Sequence, residues 1–113
     1  MAAEAEYGHI SQWHTQRVTD MSKLFHNKCD FNADISGWDV SAVTAMRSMF
    51  RGASSFNQDL SGWNVSGVTY MNNMFCDASS FNQDLSGWDV SGVTDMCNMF
   101  RGASSMAREF CFY

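Results

Sequence analysis

Asp39, Asn64 and Asp89 stand 25 residues apart, and a second acidic column, Asp34, Asp59 and Asp84, repeats at the same interval with Glu109 in the next position. Carboxylates at a fixed spacing can hold a hard cation, offer an acidic strip to a partner, or accept turn N–H groups of their own chain. The first column, flanked by Ser41, Ser66 and Ser91, reads as a docking strip or as a solvated sheet face, with solvation the simpler account. Neighbouring strands lie about 4.8 Å apart, where two aspartates repel by roughly 1 kcal/mol in water, and Asn64 separates the two charges. The second column has no such spacer. Its preferred reading is that Asn32, Asn57 and Asn82 and the aspartates cap the loops by accepting N–H groups. A calcium ladder is the alternative, but calcium-binding β-roll repeats have a different, glycine-rich period, so no metal is assigned.

The remaining reactive side chains form no catalytic set. His9, His14, His26 and Cys29 gather in the least regular part of the chain, yet His-x4-His followed by His-x2-Cys is not a recognised zinc spacing. No serine or cysteine sits in a nucleophile elbow, and no glycine pattern precedes a helix as a phosphate loop requires. The expectation is a protein that is not an enzyme and carries no cofactor. Cys29, Cys76, Cys97 and Cys111 fall in four different columns, which argues against a repeated staple and suits a reducing compartment.

The element that must position these residues is the repeat itself. Trp13, Trp38, Trp63 and Trp88 recur every 25 residues, each within nearly the same wording. A period of this size predicts units that stack and bury a shared core. With 45% hydrophobic and 14% aromatic residues, 113 residues suffice for one domain. The period divides it into a lead-in or cap over 1–12, a degenerate repeat over 13–37, repeats over 38–62, 63–87 and 88–105, and a partial repeat or cap over 106–113. The formal charge of −5, with only seven scattered Lys and Arg, disfavours nucleic acid and other anionic partners. No apolar run is long enough to span a membrane, and the first ten residues carry acidic groups where an export signal would be basic and apolar.

Within one unit, Leu60, Trp63, Val65 and Val68 have leucine-rich-repeat spacing. The alternation in Trp63-Asn64-Val65 predicts a short parallel strand with Asn64 outward. Val43, Met46, Met49, Phe50 and Ala53 fall within one arc of a helix, predicting helices over Val43–Gly52, Val68–Asp77 and Val93–Gly102. Asn27, Gly52, Asp77 and Gly102, in the column that follows, all tolerate the left-handed conformation that closes a helix. The expected fold is therefore an α/β repeat, a leucine-rich-repeat-like right-handed solenoid with one short parallel strand and one short helix per 25-residue unit.

The full wording, Trp-Asp-Val-Ser-x-Val-Thr-x-Met-x-x-Met-Phe-x-x-Ala-x-x-Phe-Asn-Gln-Asp-Leu-Ser-Gly, resembles the repeats of BspA-like leucine-rich repeat surface proteins, including certain bacterial surface lipoproteins, over about Ile10 to Ser105. The resemblance implies a non-enzymatic protein-interaction or adhesion module at the cell surface, although no export signal is readable. The alternative is a structural or self-associating spacer. Phe56–Trp63 and Phe81–Trp88 are identical, whereas Ala45/Tyr70/Asp95, Arg47/Asn72/Cys97, Ser48/Asn73/Asn98 and Arg51/Cys76/Arg101 vary. A surface for a protein partner would draw on the varied positions, so Arg47, Arg51 and Tyr70 join Asp39, Asn64 and Asp89 as candidate binding residues. After Ser105 the wording departs, with Phe110 in the Leu column and Tyr113 short of a fifth Trp. This predicts a longer array or self-association through the C-terminal end.

Overall fold

The segment that carries the helical pattern resolves into a chain of β-turns. In the computed structural model, which describes residues 10–106, Met49 N–H donates to Met46 C=O at 3.3 Å, Arg51 to Ser48 at 3.2 Å and Ala53 to Phe50 at 3.0 Å. Ser48 and Gly52 have φ of +56° and +74°, and the equivalent pairs Lys23/Asn27, Asn73/Asp77 and Asn98/Gly102 are also left-handed. A positive φ at the third residue is what a type II turn demands and what an α-helix excludes.

The expected α/β solenoid is therefore corrected. Among the described residues the only helical element is a 3-10 turn over Ile10–Gln12, and there is no α-helix and no continuous strand. Parallel pairing is confined to the isolated bridges Asp20↔Ala45, Ala45↔Tyr70 and Tyr70↔Asp95, well away from the strand expected at Trp63–Val65. The chain measures 40 × 27 × 20 Å, a compact body made largely of turns and irregular backbone.

Backbone hydrogen bonds between units replace helical ones. Met46, Ser48, Phe50 and Gly52 donate to Tyr70, Asn72, Met74 and Cys76 at 2.8–3.0 Å, and the preceding and following units repeat this pattern. Alternate N–H groups thus point to the next unit, while between them Met49 and Arg51 close turns within their own unit and Arg47 donates to the Ser22 hydroxyl of the preceding unit at 3.2 Å. Every such group that finds a partner avoids the cost of burial unpaired.

Many of the turns have an apolar residue at both ends. Leu60/Trp63, Val65/Val68, Met71/Met74, Phe75/Ala78, Ala78/Phe81 and Leu85/Trp88 are all closed by an N–H to C=O bond of 3.0–3.2 Å and all buried. Ser61-Gly62 and Ser66-Gly67 lie exposed between two of these pairs. Side chains at both ends of a turn point to the same side, so i, i+3 spacing feeds one core without any helix.

Aromatic columns run through that core. Phe25, Phe50, Phe75 and Phe100 stack at centroid distances of 5.6, 5.4 and 5.6 Å, and Phe31, Phe56 and Phe81 at 5.6 and 5.9 Å. Trp38, Trp63 and Trp88 are buried, and their indole N–H groups donate to Ile10, Ile35 and Leu60 carbonyls at 2.9, 3.1 and 2.9 Å. Each tryptophan thus ties its own turn to the equivalent turn 25 residues earlier and satisfies its own polar atom.

Candidate functional site

Both acidic columns are occupied by local backbone bonds. Asp39 Oδ1 accepts Ser41 N–H at 3.0 Å and its hydroxyl at 2.6 Å, Asn64 accepts the same pair from Ser66 at 3.1 and 2.7 Å, and Asp89 from Ser91 at 3.0 and 2.7 Å. In the second column Asp34, Asp59 and Asp84 accept the N–H of Ser36, Ser61 and Ser86 at 3.0, 2.9 and 2.9 Å. Each is an Asx turn, formed because a short acceptor side chain reaches the N–H two residues ahead.

The electrostatics follow from these bonds. The Ser41 hydroxyl and then its N–H hold the Asp39 carboxyl below its usual range, and Ser86 and Ser91 do the same for Asp84 and Asp89. At Asp59 the Ser61 N–H is the larger cause, the hydroxyl the second, while Asp34 and Asp84 push the other way. The repulsion in this column is thus outweighed by local donors. Asp20 is lowered mainly by the Ser22 hydroxyl and N–H, with help from Arg47.

Asn32 and Asn57 do something different from capping their own turn. Asn57 N–H donates to Asn32 Oδ1 at 2.9 Å and Asn82 N–H to Asn57 Oδ1 at 2.9 Å, while Gln58 and Gln83 Nε2 reach the Asn32 and Asn57 backbone carbonyls at 3.0 Å. These amides form a ladder between units. The repeated Asn-Gln pair was its visible signal in the sequence. The Ser standing two residues after every Asx likewise marked the turn role of Asp39, Asn64 and Asp89.

The other candidates lie on a separate face. Tyr70 is exposed and Arg47 half-buried, with the guanidinium carbon 3.8 Å from the Tyr70 ring centroid, a cation–π contact across adjacent units. Arg51 is exposed, but Cys76 and Ser48, from the same varied columns, are buried. Burial pushes the Cys76 thiol up, with Asp77 adding to the effect, whereas Cys29 and Cys97 are exposed and free. His14 is exposed and His26 half-buried, and His9, Glu109, Phe110, Cys111 and Tyr113 lie outside the described residues. Among the described residues, no group of three His, Cys, Asp or Glu is placed to hold a metal ion, and no helix is long and apolar enough to cross a membrane.

No curated protein and no solved structure matches this chain. One family model does, over residues 1–111, and the chain accordingly belongs to the family described as Mycoplasma protein of unknown function, DUF285.

Proposed function

We propose that this protein is a non-enzymatic protein-interaction or adhesion module, and that its partner-facing surface is the Arg47–Tyr70 face. The observation that carries this reading is an exposed tyrosine under an arginine guanidinium at 3.8 Å, on a surface otherwise made largely of short polar side chains. Tyr and Arg are the residue types that most often dominate binding energy, and a stacked pair is pre-ordered, which lowers the entropy lost on association. The Asp39/Asn64/Asp89 strip is the weaker candidate, because its acceptor atoms already hold turns. The resemblance to BspA-like surface repeats supports the adhesion side of the proposal through the repeat wording alone, since the leucine-rich-repeat backbone is not formed.

The test is affinity capture followed by titration of the partner against the intact chain and against Tyr70→Ser/Arg47→Ser. Loss of at least tenfold in affinity, with an unchanged melting curve, is expected. Undiminished affinity would move the site elsewhere. A spacer that self-associates is the second reading, favoured by the half-buried Val93 and Met96 of the last described unit, whose equivalents Val68 and Met71 are fully buried.

A further inference from the structure

We infer that copies of this chain associate head to tail, the last described unit of one copy docking on the first described unit of the next in the same 25-residue register. The two outer faces carry complementary halves of the bond pattern that joins units inside the chain. On one face, the N–H groups of Met96, Asn98 and Gly102 have no partner among the described residues, although their equivalents Met71, Asn73 and Asp77 donate to Asp95, Cys97 and Arg101 at 2.9, 2.9 and 2.7 Å. On the other, the carbonyls of Asp20, Ser22, Leu24 and His26 accept nothing among the described residues, whereas their equivalents Ala45, Arg47, Met49 and Arg51 each accept an N–H from the unit before. A row of donors and a row of acceptors at matching intervals is what edge-to-edge pairing requires.

Apolar side chains point to the same joint. Val68 and Met71 are sealed at 0–1% exposure, but Val93 and Met96 are only partly buried. A groove of about 460 Å³ lies along Met96–Arg101. At the opposite face Val18, in the same column as Val93, is 37% exposed. Joining the faces places these two valines one unit apart in a single column, as Val43 and Val68 are inside the chain, where both are buried.

The left-handed column fits a second copy as the occupant. Its order is Asn27, Gly52, Asp77, Gly102, an alternation of Asx and Gly. The alternation is steric, because a Cβ at Gly52 would overlap the Asn27 side chain, and one at Gly102 the Asp77 side chain. Docking Asn27 of the next copy after Gly102 keeps the alternation, repeating the step from Gly52 to Asp77. One feature opposes the joint: Asp95 comes beside Asp20 of the next copy. At about 5 Å in water this repulsion weakens association on the order of fivefold, so added salt and Asp95→Asn should both tighten it.

A disulfide tests the register. Ser22 and Cys97 occupy one column. Within a chain they stand three units apart, roughly 14 Å, whereas across the joint their Cα atoms come to about 4.8 Å, within disulfide range. In a background with Cys29 and Cys111 replaced by serine, Ser22→Cys is expected to give a ladder of covalent oligomers on mild oxidation. A 22–97 cross-linked peptide should be found by mass spectrometry, and the ladder should vanish on adding Cys97→Ser. The unmodified chain should show concentration-dependent mass by sedimentation, reduced at least tenfold in association constant when Cys97 carries a bulky maleimide. Tyr70→Ser should leave it unchanged, which separates this joint from the partner face. Monomer at every concentration in the unmodified chain, or a folded Ser22→Cys variant without the 22–97 linkage, overturns the inference.

Discussion

Gly52→Ala probes the stacking of units at a single atom. Gly52 has φ +74°, and an added Cβ would overlap the Oδ1 of Asn27 in the preceding unit. Placing an L-residue in the left-handed region costs about 1–2 kcal/mol. Forcing Asn27 off its rotamer adds about 0.5–1.5 kcal/mol. The lower entropy of the unfolded alanine chain returns about 0.4–1 kcal/mol. The net expectation is a loss of about 1–3 kcal/mol, or a fall in melting temperature of about 4 °C for each kcal/mol in a chain of this size. Gly62→Ala is the control, since a Cβ there meets nothing within 4 Å and the backbone is not left-handed. It should be neutral or stabilising by up to about 1 kcal/mol. Adding Asn27→Gly to Gly52→Ala removes the overlap but not the backbone strain, so it should recover about 1 kcal/mol. Urea unfolding of the four proteins measures these differences. Equal stability of Gly52→Ala and Gly62→Ala would refute both the left-handed turn and the contact with Asn27.

Trp63→Ala should cost about 3–5 kcal/mol through lost packing against Phe50 and the cavity left behind, and the calorimetric transition should drop or disappear. Because Asp39, Asp59, Asp84 and Asp89 have lowered folded values, their contribution is present above the unfolded carboxylate value near 4 and is lost as pH falls through the folded values. Melting temperature should therefore decline below about pH 4, and Asp39→Asn, which makes the column match Asn64, should change little at pH 7 while flattening the acid limb. With a thiol reagent under native conditions, Cys29 and Cys97 should be modified well before Cys76, and denaturation should abolish the difference.

The residues show why the period and the core were legible and the local backbone was not. Trp63, Val65, Val68, Met71, Met74 and Phe75 are buried, as their apolar columns require. The Asn27/Gly52/Asp77/Gly102 column is left-handed throughout, but it closes turns rather than helices. The i, i+3 spacing of Met46 and Met49 is common to one helical turn and to the two ends of a β-turn, so hydrophobic periodicity alone could not separate them. The discriminating signal lay in Ser48, Asn73 and Asn98, poor helix formers placed mid-segment, which favour turns through local hydrogen bonding. For the candidate site, the aspartate columns were visible, whereas Arg47 over Tyr70 depends on two units being in register and has no local signature.

The central claim is that consecutive units are joined in parallel register through turns and not through helices. Through-hydrogen-bond scalar couplings between amide nitrogen and carbonyl carbon test it most directly. The account predicts couplings from Met46 to Tyr70, Ser48 to Asn72, Phe50 to Met74 and Gly52 to Cys76, with Met49 coupled to Met46 and Ala53 to Phe50. Couplings from Phe50 to Met46 and from Ala53 to Met49, the i to i−4 pattern of an α-helix, would contradict it.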